Sequence, residues 1–71
     1  NPANDYIMIN AGSTNTNEIQ IFNVYGQCVM SVDTQNNISE YRVDISNLPA
    51  GMYFTRIAND KNNVVKRFVK Q

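Results

Sequence analysis

The chain has 71 residues, 42% of them apolar, with six basic side chains against six acidic ones, a single cysteine and no histidine. That length makes one domain, which buries only about 60% of the surface its unfolded chain exposes. It excludes an internal disulfide, any Ser-His-Asp or Cys-His nucleophile and any histidine-based zinc site. Its longest apolar run, Tyr6 to Ile9, falls far short of the roughly 20 residues of a spanning helix.

In chain order, the first residue is Asn1 rather than Met and no charged-then-apolar leader follows, as expected of a piece of a larger protein. Pro2 fixes φ and has no N–H to donate, which suits the start of an edge strand. Tyr6 to Ile9 reads as a first apolar strand, and Asn10 to Asn17, with Gly12, as a polar loop. Glu18 to Val24 alternates imperfectly and is rich in β-branched and aromatic residues, the pattern of a half-buried strand. Tyr25-Gly26-Gln27 is a tight turn in which glycine takes a positive φ. Gln27 to Val32 is the next strand, with Cys28 read as a small core or half-buried residue. Asp33 to Asn37 is a turn-rich stretch. Tyr41 to Ile45 alternates cleanly, with Tyr41, Val43 and Ile45 inward and Arg42 and Asp44 outward. Leu48-Pro49-Ala50-Gly51 turns directly into a strand, Gly51 to Ile57, whose Tyr53, Thr55 and Ile57 share one face. After the Asn59 to Asn63 turn, Val64 to Val69 forms a last strand.

Six or so short strands at this spacing, with no helix-length period, specify an all-β fold: a small antiparallel β-sandwich or barrel. The twelve asparagines sit largely in loops and read as turn chemistry. The scattered carboxylates give no general acid/base pair, and the three glycines are too far apart for a phosphate loop. The Asp- and Asn-rich stretches at 33–37 and 60–63 lack the central glycine and terminal glutamate of an EF-hand loop, so hairpin turns are expected there. Charge is unevenly placed: residues 1–60 carry two arginines against six acids, and residues 61–71 carry Lys61, Lys66, Arg67 and Lys70 with no acid. One aromatic, Phe68, lies among those cations and the pI is near 6.3, so no nucleic-acid partner is expected. Lysines on a terminal strand also serve to blunt an exposed sheet edge.

Four features in order resemble one family: Asn1-Pro2 before an apolar strand; Ile21-Phe22-Asn23-Val24-Tyr25-Gly26-Gln27; Val43 through Leu48-Pro49-Ala50-Gly51-Met52-Tyr53-Phe54; and a Lys66-Arg67-Phe68-Val69-Lys70-Gln71 end. Together they resemble the type A C-terminal sorting domain of the type IX secretion system of Bacteroidetes-type bacteria. The resemblance covers essentially the whole chain. It implies an immunoglobulin-like sandwich of about seven strands, without catalytic activity or cofactor, attached after an N-terminal cargo domain. The implied partners are the type IX translocon, an outer-membrane shuttle protein and a sortase-like transpeptidase that removes the domain. The implied route runs through the periplasm to the cell surface or the medium. Carried over by position, the signal candidates are Gly51, Tyr53, Lys66, Phe68 and Lys70. Thr55 departs from the pattern, standing where an aliphatic residue is usual.

Two other readings compete. One is an immunoglobulin- or fibronectin-like adhesion or carbohydrate-binding module, for which Tyr6 and Phe54 are the best exposed aromatics. The other is a structural spacer. An unpaired edge strand would also allow dimerisation between copies.

Overall fold

The computed structural model describes residues 2–3, 5–11, 16–35, 38–59 and 63–71. Within them the chain is all-β: β1 (Pro2–Ala3), β2 (Tyr6–Asn10), β3 (Thr16–Phe22), β4 (Cys28–Val32), β5 (Glu40–Asp44), β6 (Gly51–Asn59) and β7 (Asn63–Lys70). The first of these is a two-residue strand that pairs in parallel with the last, and the other six form antiparallel pairs. One sheet has the order β1-β7-β6-β3-β4 and the other is the β2-β5 pair. An immunoglobulin sandwich places its third, sixth and seventh strands together and, in the variable type, adds the following strand to that sheet. The order β7-β6-β3-β4 facing β2-β5 reproduces that arrangement, so the immunoglobulin-like expectation holds.

Alternation builds the core. Tyr41, Val43 and Ile45 are buried while Arg42 and Asp44 are exposed, and Tyr53, Thr55 and Ile57 are buried together on β6. Ile9 from the smaller sheet joins Ile19, Ile21, Tyr53 and Ile57 from the larger, so both sheets contribute to one cluster. Thr55 is buried at the place the sequence put it, and among the described residues no buried side-chain polar atom lacks a partner.

The β3–β4 hairpin corrects two expectations. Val24 is not the end of the strand but the first residue of the loop, because Asn23 stops the ladder. The Asn23 N–H donates to the Gln27 carbonyl at 3.0 Å and the Gly26 N–H to the Asn23 carbonyl at 3.1 Å. Asn23 Oδ1 accepts from the N–H groups of Tyr25 (2.9 Å) and Gln27 (3.0 Å), and its Nδ2 donates to Gln27 Oε1 at 2.8 Å. Gly26 then adopts φ 81°, closing a three-residue loop of the turn-plus-bulge type. Cys28 is exposed rather than half-buried. It pairs with Phe22 just after a bulge in the β3–β4 register, on a strand with no neighbour beyond it. The remaining strand limits differ from the sequence reading by one or two residues. Gly12, Asn36, Asn37, Asp60, Lys61 and Asn62 lie outside the described residues, so the 33–37 and 59–63 turns are described only in part and the 10–17 loop only at its ends.

Asn23→Ala removes an asparagine that satisfies three hydrogen bonds, and Gly26→Ala forces a side chain into the left-handed region. Each should lower stability by about 1 kcal/mol, while Tyr25→Ala, at an 85% exposed position, should leave it unchanged. Urea midpoints of the three variants check this; equal midpoints throughout would show that the hairpin does not limit stability.

Candidate functional site

The candidate residues all lie on the β6–β7 pair or at its mouth. The two strands run antiparallel in unbroken register from Gly51↔Lys70 to Ala58↔Asn63. The Gly51-to-Ile57 stretch read as a strand is thus the direct neighbour of the last one. Tyr53 stands opposite Phe68, and their rings stack with centroids 5.5 Å apart and planes 20° from parallel. Such aromatic cross-strand pairs add about 0.5–1.5 kcal/mol beyond their buried area.

Tyr53 is 5% exposed, and its hydroxyl donates to the Pro49 carbonyl at 2.5 Å. A tyrosine at the start of the sixth strand bonding back to the preceding corner is the tyrosine corner of immunoglobulin-like sandwiches. Lys70 is only 8% exposed. Its ammonium donates to the Leu48 carbonyl at 2.9 Å and, at 3.5 Å, to that of Ser46. Gly51, exposed, carries φ 151°, a backbone conformation that side-chain-bearing residues rarely adopt. The space a side chain would fill at Gly51 is open, so the glycine is there for its backbone and not for space.

Lys66 is different. It is exposed, as are Asn63, Val64, Val65 and Arg67. Lys66 shares a face of β7 with Phe68 and Lys70 by alternation, yet it stays exposed while its partner on β6, Thr55, is buried. The five candidates therefore divide. Tyr53, Phe68 and Lys70 hold the strand pair to the corner, Gly51 sets the path of the chain into it, and Lys66 faces solvent. Arg67 was not among the candidates. It is exposed on the opposite face, opposite Phe54, and the period-two pattern already placed it there.

The corner itself is ordered by Asp44, whose Oδ1 accepts from the Ser46 N–H at 2.9 Å. The Ser46 hydroxyl and backbone N–H hold the Asp44 carboxyl below its ordinary range, partial desolvation opposes this, and the charges of Arg42 and Lys70 add to it. On the outer side of the smaller sheet, Asp5, Tyr6, Arg42, Asp44 and Ser46 line an open groove. The Arg42 guanidinium lies 4.1 Å from the centre of the Tyr6 ring, so the exposed aromatic face is already occupied by a cation. Phe54 is half-buried, and the most exposed aromatic is Tyr25 at the hairpin tip. Among the described residues no group of three or more Cys, Asp or Glu side chains is placed to hold a metal ion, and no helix is long and apolar enough to cross a membrane.

The family model of the secretion system C-terminal sorting domain matches residues 1–71. The chain belongs to that family. It is a sorting domain of type IX secretion, a signal for export to the cell surface or the medium that engages the secretion machinery on behalf of an N-terminal cargo. No curated protein matches the chain.

Lys70→Met keeps the stem and deletes the charge, leaving two corner carbonyls without their donor. It should cost about 1.5–3 kcal/mol, read as a lower urea midpoint, with the loss centred on β7 amides in hydrogen exchange. Asp44 gives a pH test. Its folded pKa is depressed, so its contribution is complete above about pH 4 and is lost as pH falls through the folded value. Asp44→Asn should therefore be less stable than the parent at neutral pH, and the two stability curves should converge in acid.

Proposed function

We propose that the domain is a non-catalytic C-terminal address whose readable element is the β6–β7 pair. In this reading it delivers its cargo across the outer membrane through the type IX translocon, after transit of the periplasm. An outer-membrane shuttle protein receives it, and a sortase-like transpeptidase removes it. The observation that carries the reading is the family match over residues 1–71, joined to the way the last strand is displayed. That strand is fixed on one side by the full length of β6 and at its end by the Lys70 ammonium, while Lys66 and Arg67 stand in solvent on opposite faces. A rigid strand with exposed cations offers a partner charge at fixed spacing. Within the proposed signal, Lys66 is contacted directly. Gly51, Tyr53, Phe68 and Lys70 keep the strand in the presented geometry.

Fusing residues 1–71 to a periplasmic reporter should export it in a host with the type IX system, and deleting Val64 to Gln71 should abolish export. Retention of the intact fusion in the periplasm would sink the proposal. Lys66→Glu with Arg67→Glu separates recognition from stability. Export should drop several-fold while the unfolding free energy from urea titration stays within about 0.5 kcal/mol of the parent. Unchanged export by that variant would return these cations to plain edge protection.

A further inference from the structure

The outer edge of β7 is covered only at its end. β1 pairs in parallel with it at two positions, Pro2↔Val69 and Ala3↔Lys70, and no described strand pairs with that edge between Asn63 and Phe68. The uncovered stretch contains Val64, Val65, Lys66 and Arg67, all exposed, with Val65 at 61%. An edge of this length with two adjacent β-branched residues is a template for another strand.

The direction of β1 identifies the occupant. Because β1 runs parallel to β7, its backbone, continued upstream in the same register, passes Phe68, Arg67, Lys66, Val65, Val64 and Asn63 in turn. Upstream chain has a source, since the family places a cargo N-terminal to the domain. We infer that the segment directly preceding this domain extends β1 along the open edge of β7. The connection to the cargo then covers in cis the main-chain groups beside Lys66 and Arg67. Such a strand continues a ladder whose first two rungs are already formed, so its loop-closure cost is minimal. A second copy of the chain would have to bring its own strand to the same edge and meet the same cations on both faces.

The inference rests on the sorting reading only for the presence of chain upstream. Its test reads the edge in purified protein and involves no export, so the two can fail separately. Hydrogen exchange is measured on the cargo–domain precursor and on the same precursor with the six residues before Pro2 replaced by prolines, which cannot donate to a ladder. Alternate amides of residues 63–68 should exchange slowly in the parent and about tenfold faster in the proline variant, with the paired amides of β3 and β6 unchanged as the control for folding. Should the proline variant loosen β6 as well, a Gly-Ser replacement of the same length is read in the same way. Equal exchange in parent and variant, fast or slow, overturns the inference. Protection that fades on dilution of the parent assigns the edge to a second copy and overturns it too.

Discussion

Two side chains from one strand pair close the corner that joins the two sheets. The Tyr53 hydroxyl donates to the Pro49 carbonyl and the Lys70 ammonium to those of Leu48 and Ser46. The carbonyls of Ser46, Leu48 and Pro49 thus find donors that water would otherwise supply. A corner is where a sandwich is weakest, because the chain leaves one sheet before it has joined the other and its carbonyls have no ladder. Here the donors come from the very strands the corner feeds: Tyr53 lies two residues into β6, and Lys70 ends β7. The geometry of the last strand is consequently tied to that of the turn 22 to 24 residues earlier. A 71-residue domain without a disulfide has few other ways to secure a terminal strand.

That dependence explains why the sandwich can be lopsided. The smaller sheet has only two strands of five residues, yet the larger sheet carries strands of eight and nine. The core runs along β6, from Tyr53 near the corner to Ile57 opposite Val64, with Ile19 and Ile21 beside it. β7 lies outside β6 in the larger sheet, and its far half is exposed, apolar at Val64 and Val65 and charged at Lys66 and Arg67. Full coverage of that half would bury the cations without partners, at a cost that surface lysines avoid. Burial at Lys70 comes from the corner carbonyls within its reach, which Lys66, four residues earlier, does not share.

The sandwich was legible because a strand buried on one face must alternate. Tyr41-Arg42-Val43-Asp44-Ile45 and Tyr53-Phe54-Thr55-Arg56-Ile57 record that constraint residue by residue, and the burial follows it. Lys70 was placed on the right element, but its burial was not legible. A lysine near a chain end reads as solvated, and nothing local reveals that the corner carbonyls 22 and 24 residues away will receive its ammonium. Cys28 misled in the opposite sense. Free cysteines are usually buried, but this one falls after a bulge on an outermost strand, and register shifts leave no mark in composition. At Val24 an apolar residue extended the strand by pattern, while Asn23 ended it by hydrogen bonding. Side-chain competition for the backbone overrode propensity there.

The four cations after residue 60 read as one basic tail, and the structure separates them. Lys61 lies outside the described residues; Lys70 is spent inside on the corner; Lys66 and Arg67 face outward on opposite sides of the strand. Edge protection asks only that charge be present where a ladder is open, and either residue at either position would satisfy it. Recognition asks more, because a partner must match both the spacing of the charges and the side each one takes. The latch at Lys70 has no bearing on the first requirement, since a frayed and charged edge repels pairing as well as a rigid one. It bears directly on the second, since a partner can count on the positions of Lys66 and Arg67 only if the strand carrying them is held. On the proposed reading, the buried ammonium at the end of this strand serves presentation, a role that edge protection alone would not require.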